Sequence, residues 1–299
     1  MDGILIIDKP AGITSHDVVS RVRHILKTKR VGHTGTLDPF ATGVMVILVG
    51  QATRLAQFLD KDAKEYVAGI KFGFETDTAD LSGKRLENHF NRAPDTLTIE
   101  ELESVVSQFR GTLKQTPPMY SAKKIDGQKL YELARQGKVV ERNPVTISIY
   151  ELAILDPDEL AGNNSVLHIR VSCSAGTYIR TLAEDIGKAA GTGAHLISLR
   201  RMAAGKFDLR ESRTLDELKA LKSPWLALLP MDQAVSHLPE FGLPADRIEK
   251  TRNGLSTRVI EDRFNNGDVI RMTEISGNVI AIGVYDEAEK SVRPTVVLV

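Results

Sequence analysis

Apolar and polar positions fall into short blocks along this chain, and the first fifty residues already carry four of them. The run from Gly3 to Asp8 is apolar almost throughout and predicts a buried strand, ended by the turn chemistry of Lys9-Pro10-Ala11-Gly12. Thr14 and Ser15 are N-cap candidates for a helix over about Asp17 to Thr28, where Val18, Val22, Ile25 and Leu26 recur at helical spacing. Arg30 to Gly43 is rich in glycine and threonine and reads as a loop; Val44 to Val49 is continuous and β-branched, as a central strand would be.

The same reading predicts strands over Glu65 to Phe74, Val145 to Leu155, Val166 to Cys173 and His195 to Ala203. It predicts helices over Thr98 to Phe109 and Thr177 to Ala190, and the polar stretch Thr76 to Pro94 as an excursion from the sheet. Strands and helices interleave without a regular βαβ period, so the expected class is α+β, a mixed sheet with helices packed on it. Near Pro239 to Pro244 the pattern changes to a short helix, Asp246 to Asn253, and glycine-punctuated strands such as Val269 to Met272 and Val279 to Tyr285. That predicts a small β-rich second domain, residues 239–299, following a larger one over 1–238.

Length and composition agree. At 299 residues the chain can bury about two cores. Its single cysteine, Cys173, cannot form an internal disulfide or a cysteine-rich zinc site. The N-terminus lacks the basic start and long apolar run of a secretory signal, no stretch approaches the ~20 apolar residues of a membrane span, and the expected location is the cytoplasm. The seven histidines (16, 24, 33, 89, 168, 195 and 237) form no close pair, which argues against a metal site.

Charge changes the picture locally. The 39 basic and 39 acidic residues cancel, so a polyanionic partner must be held by patches. One is Arg21, Arg23, Lys27, Lys29 and Arg30 with His24 and His33, uninterrupted by a carboxylate; a second is Arg200, Arg201, Lys206, Arg210 and Arg213. Both could follow a phosphate backbone, although a charge run alone is usually a solvated face.

The first patch leads into Gly32-His33-Thr34-Gly35-Thr36-Leu37-Asp38-Pro39-Phe40-Ala41-Thr42-Gly43. The glycine spacing is not followed by the Lys-Ser/Thr of a P-loop. Gly32 to Gly35 fits the four letters of a KH-type GXXG clamp, a short match. As an acid loop it offers one carboxylate, Asp38, which nearby positive charge would keep ionised, although an aspartate before proline commonly just shapes a turn.

The whole twelve-residue segment resembles the catalytic motif of the TruB family, bacterial synthases of pseudouridine 55 in tRNA. Further segments follow in order: GILIIDKPAGITS over Gly3 to Ser15 resembles the family's opening motif and Lys64-Glu65-Tyr66 its tyrosine motif. Ser174 to Arg180 resembles its arginine motif, and His195 to Arg201 the segment closing the pocket. The resemblance implies a mixed, mainly antiparallel pseudouridine-synthase core and a C-terminal PUA-like RNA-binding domain.

It also implies that Asp38 is the catalytic carboxylate that detaches, turns and reattaches uracil, by attack at C6 or at C1′. Arg180 would pair with Asp38, Tyr66 would lie against the base, Tyr178 and Leu199 would line its pocket, and His33 would fill the space of flipped nucleotides. The expected partner is the T-arm of tRNA, with no membrane, metal or cofactor, and the protein is expected to be a monomer. The competing readings are a non-catalytic RNA-binding protein on the same scaffold and an aspartate-nucleophile phosphatase, which would need a metal-binding acidic cluster.

Overall fold

The computed structural model describes residues 1–59, 61–87, 90–121, 123–125, 127–155, 165–260 and 263–298. The N-terminal apolar run forms β1 (Gly3–Lys9), and Thr14 then caps α1 (Ser15–Leu26) through a capping box with Asp17. Thr14 takes the capping position because Ser15 already lies in the first turn. There the Ser15 hydroxyl is buried and bonded elsewhere.

Next come β2 (Val31–Thr34), β3 (Thr42–Val49), β4 (Lys64–Phe72), α2 (Ile99–Ser107) and β5 (Gly111–Gln115). A small hairpin of β6 (Lys124–Ile125) and β7 (Gln128–Lys129) precedes β8 (Val145–Leu155), β9 (Val166–Cys173), α3 (Ile179–Ala189), β10 (Ala194–Ala204) and β11 (Phe207–Asp208). Among the described residues these build a nine-stranded sheet ordered β1-β3-β10-β4-β9-β8-β5, with β2 added to β3 and β11 to β10. Every neighbouring pair is antiparallel except β3 with β10, which run parallel at Thr42–Gly43 and Arg200–Arg201. The class is α+β, mixed and mainly antiparallel, as expected.

The unbroken apolar run of β3 has a packing reason. Met45, Ile47 and Val49 face α1 through Val18, Val19 and Val22, whereas Val44, Val46 and Leu48 face Ala52, Leu55 and Leu59. A strand covered on both sides has no polar face to alternate with. The other half of the sheet rests on α2 and α3, where Tyr66, Ile70, Ile169, Val171, Leu196 and Leu199 share a core with Leu102, Val106, Leu182 and Ile186.

Beyond residue 239 a five-stranded sheet forms from β12 (Glu240–Gly242), β13 (Thr257–Arg258), β14 (Val269–Thr273), β15 (Val279–Asp286) and β16 (Ser291–Val297), with α4 (Ala245–Arg252) beside it. Its order, β12-β14-β15-β16-β13, is an open path with its own core of Phe241, Ile270, Met272, Ile280, Tyr285 and Val292. Val279, Ile282, Val296 and Leu298 also join the core that holds Ile4, Val44 and Leu55, so the two sheets share buried apolar surface.

Two expectations change. The presumed loop Arg30 to Gly43 begins as β2, paired with β3 from Val31 opposite Val49 to Thr34 opposite Val46. Only two of its four residues, Val31 and Thr34, are buried, and at that spacing they make no alternation. The excursion of residues 76–94 is in part buried: Thr76, Ala79 and Asp80 lie below the surface, and the Ala79 carbonyl accepts a hydrogen bond from Leu196 N on β10. His89, one of the histidines considered above, lies outside the described residues.

Candidate active site

The loop between β2 and β3 is held from below by the opening segment of the chain. The Ser15 hydroxyl accepts a hydrogen bond from Leu37 N at 2.8 Å and donates to the Leu37 carbonyl at 3.0 Å. Gly12 N donates to the Pro39 carbonyl at 2.8 Å. Lys9, fully buried, donates from Nζ to the carbonyls of Pro10, Pro39 and Ala41 at 3.0, 3.2 and 2.7 Å. The resemblance assigned no task to Gly3–Ser15; the structure shows it clamping both sides of Asp38. Gly43 ends the loop at φ +104°, where a Cβ would stand 2.2 Å from the Arg201 carbonyl oxygen, so no side chain fits.

Asp38 retains about a third of its side-chain exposure, at 32%. Arg180, projected from the first turn of α3, holds it in a fork: Nε to Oδ2 at 2.9 Å and Nη2 to Oδ1 at 3.2 Å. The guanidinium has no slack, because Nη1 also donates to the Thr78 carbonyl at 3.0 Å and Nη2 to the Tyr120 carbonyl at 2.7 Å. Buried Asp80 stands 3.6 Å from Nη1. Its own carboxylate accepts from Thr78 Oγ1 at 2.8 Å and Ser82 N at 2.9 Å. A buried arginine thus lies between two carboxylates, one sealed and one open to a ligand.

Burial pushes the Asp38 carboxyl above the usual carboxylate range; Arg180 pulls hardest against it, Asp80 adds to the rise and Lys9 opposes it. Local positive charge alone pointed to an ordinary ionised aspartate. Desolvation outweighs it, and Arg180 is the strongest of the groups that favour the charged form. Lys9 is pulled down to about 8, chiefly by burial, with Asp38 resisting.

Of the residues singled out from the sequence, the structure gathers Asp38, Arg180, Tyr66 and Leu199. Tyr66 on β4 and Leu199 on β10 are buried in one apolar cluster with Leu37 and Ile179. Burial raises the Tyr66 phenol above its ordinary value, while the charge of neighbouring Arg201 acts in the opposite direction. Tyr178 caps α3, and its backbone N and carbonyl are both gripped by the Gln115 side chain, at 2.8 and 3.0 Å. His33 stands half-buried on β2 opposite Ile47, and the Asp38–Arg180–Asp80 network is built without it.

The sequence reading missed Asp80, Gln115 and Lys9 as site residues and misplaced Arg201. Asp80 and Gln115 sit in polar stretches with no periodicity to mark them. Arg201 cannot meet a phosphate, being 1% exposed. Its neighbour Arg200 is engaged with Asp8 at 2.7 and 3.1 Å. The first patch fares better: Arg21, His24, Lys27, Lys29 and Arg30 are exposed, whereas Arg23 is half-buried and donates to the Val31 carbonyl at 2.9 Å.

Among the described residues no cluster of three His, Cys, Asp or Glu side chains is placed to hold a metal ion, and no helix is long and apolar enough to cross a membrane.

Comparison with known proteins meets this geometry. The family model for the N-terminal domain of TruB family pseudouridylate synthases matches residues 23–179, and that for the C-terminal domain of tRNA pseudouridylate synthase B matches residues 180–236. A tRNA pseudouridine synthase B of Dehalococcoides mccartyi is 42% identical over all of this chain and 97% of its own length. One from Solibacter usitatus is 41% identical over 95% of each. Among solved structures, a chain of a Cbf5-Nop10-Gar1 complex superposes with a TM-score of 0.74 at 26% identity, over 99% of this chain and 85% of that one.

Proposed function

The chain belongs to the TruB family of pseudouridylate synthases, and on that premise we propose that it isomerises uridine 55 in the T-loop of tRNA, with Asp38 as the reacting carboxylate. Pseudouridine synthesis is an isomerisation: the C1′–N1 bond breaks, uracil turns, and a C1′–C5 bond forms. No group or electron is gained from outside, so the reaction calls for no cofactor. It needs a base taken out of its stack, a nucleophile beside it, and a site that holds the detached uracil.

The single observation that carries this reading is the forked Asp38–Arg180 pair, at 2.9 and 3.2 Å, in a carboxylate still open to a ligand. Arg180 keeps Asp38 ionised and aimed without moving during the reaction, which is preorganisation of the electrostatic kind. Tyr66, Tyr178 and Leu199 would receive the flipped base, and His33 would occupy the space that the flipped nucleotides leave. The exposed cations of α1 and its following turn would meet the phosphate backbone.

The chain divides into a catalytic domain, 1–238, and a PUA-like RNA-binding domain, 239–299, and acts as a cytoplasmic monomer. The separate core of the five-stranded sheet supports the division. Similarity to relatives named as tRNA synthases supports tRNA as the substrate.

An unmodified tRNA transcript treated with the protein and mapped at nucleotide resolution tests the reading. Pseudouridine is expected at position 55 alone, and Asp38→Asn should bind the transcript while forming none. Binding without modification by the wild-type protein would favour the non-catalytic alternative.

A further inference from the structure

We propose that Arg201 is a positioning residue for the isomerisation, a buried cation that ties the Asp38 loop to the Tyr66 hydroxyl and fixes the two relative to one another. The proposal rests on the assignment of Asp38 and Tyr66 above. Among the described residues Arg201 is the largest fully buried side chain, and no carboxylate lies within ion-pairing distance of it. A guanidinium sealed from water without a counter-ion is costly unless its N–H groups are used.

They are used on the site. Nη2 donates to the Gly35 carbonyl at 2.9 Å, three residues before Asp38. Nε donates to the Val44 carbonyl at 2.6 Å, where the loop has just entered β3. The same residue is the register partner of Tyr66 across the antiparallel β10–β4 ladder, which sets the two side chains on one face of the sheet, and the guanidinium favours the ionised form of the phenol. One planar group therefore touches both stems of the loop and stands beside the side chain that meets the base.

The backbone around it is shaped to admit this. A Cβ on Gly35 would lie 3.2 Å from Arg201 Nη1, and one on Gly43 would strike the Arg201 main chain. Two of the loop's three glycines thus have a stated reason, which is room for Arg201. Lysine could keep the charge but could not reach Gly35, Val44 and Tyr66 together, since its donors sit on one nitrogen.

The test is a double-mutant cycle in single-turnover pseudouridine formation, with Arg201→Lys placed in the wild-type and Tyr66→Phe backgrounds. If Arg201 acts through the phenol, the rate falls about tenfold or more in wild-type and less than about threefold in Tyr66→Phe, with transcript affinity held within about threefold. Equal losses in both backgrounds overturn the proposal, for Arg201 would then be a structural residue only.

If Tyr66→Phe turns over too slowly to measure, the Tyr66 phenol is titrated instead, as the absorbance difference between each protein that keeps Tyr66 and the same protein carrying Tyr66→Phe. Arg201, Cys173 and Asp38 are the charged or titratable groups acting on this phenol. Arg201→Gln should move its titration to higher pH; an unmoved titration, or a lowered one as unfolding would produce, overturns the proposal. Absence of product from the wild-type protein would instead strike the functional reading and leave the Arg201 geometry untouched.

Discussion

The nine-stranded sheet buries Lys9, Lys64, Asp80, Arg180 and Arg201 around one loop, whereas the described polar residues buried in the five-stranded sheet and its helix are the hydroxyls of Thr251, Thr257, Thr273 and Ser291. Beyond residue 239 none of the described charged side chains is fully buried, and several are paired: Arg252 with Glu249 and Lys250 with Asp246 on α4, and Arg271 with Glu240 in the sheet. Surface pairs of this kind contribute little, about 0 to 1 kcal/mol each. Buried charges cost far more and persist only where every donor is met. Fixed dipoles and charges are what an electrostatically demanding reaction needs, so the location of the expensive groups separates the catalytic region from the one that presents a surface.

That contrast can be broken at its strongest point first. Arg180→Met leaves Asp38 without the group that most opposes its desolvation, and should lower the rate about 10²- to 10³-fold, as loss of a preorganised charge does. On the proposal that Asp38 reacts as the ionised carboxylate, the sign of the pH effect follows from its titrating above the usual carboxylate range. Activity falls on acidification, and in Arg180→Met the acid limb should lie at still higher pH. A profile with an unshifted acid limb would separate Arg180 from the charge state of Asp38.

Lys9→Met tests whether the clamp beneath the loop matters, with about a tenfold loss in rate expected from misplacement of Asp38. It also has a stability signature. Lys9 titrates near 8 when folded against 10.5 for an ordinary lysine, so between these values the folded state binds fewer protons than the unfolded one. Wild-type stability should therefore rise relative to Lys9→Met as pH climbs through that window, which thermal melts at its two ends would show.

The second sheet should answer differently. Because Val279, Ile282, Val296 and Leu298 share a core with Ile4 and Val44, removing the domain would bare apolar surface, and charge reversal is the cleaner probe. Arg258→Glu combined with Arg293→Glu, both exposed, should weaken tRNA binding about three- to tenfold at low salt, with the rate on saturating tRNA unchanged. An effect on the saturated rate would blur the distinction between the sheets. The smallest effect belongs to Lys250→Ala, which loses a surface pair with Asp246 and should change stability by less than about 0.5 kcal/mol in denaturant melts.

Much of this architecture is legible in the pattern of residues. Strands that alternate or run wholly apolar are readable nearly to their ends, as with Val166 to Cys173, because burial on one or both faces imposes the pattern directly. The β5 strand escapes such a reading because an edge strand such as Gly111–Gln115 needs few apolar residues. Thr76 to Pro94 looks like solvent-facing chain because two of its three buried described residues, Thr76 and Asp80, are polar and the third, Ala79, is small.

The sequence by itself determined the class of fold, the change of pattern near residue 239 and the loop around Asp38, which reside in periodicity and in one twelve-residue segment; the candidate role of Arg180 came from the resemblance of Ser174 to Arg180 to the family's arginine motif. Tertiary structure decided which polar residues serve that loop. Arg200 and Arg201 are adjacent in the chain and alike in chemistry, yet successive positions on a strand point to opposite faces. One is partly exposed with Asp8 and the other is sealed against Gly35, Val44 and Tyr66. Lys9, Asp80 and Gln115 likewise acquire their roles from partners 30 or more residues away. Charge and hydrogen-bonding capacity are written in the residue, but the dielectric around it and the partner it meets exist only once the sheets have assembled.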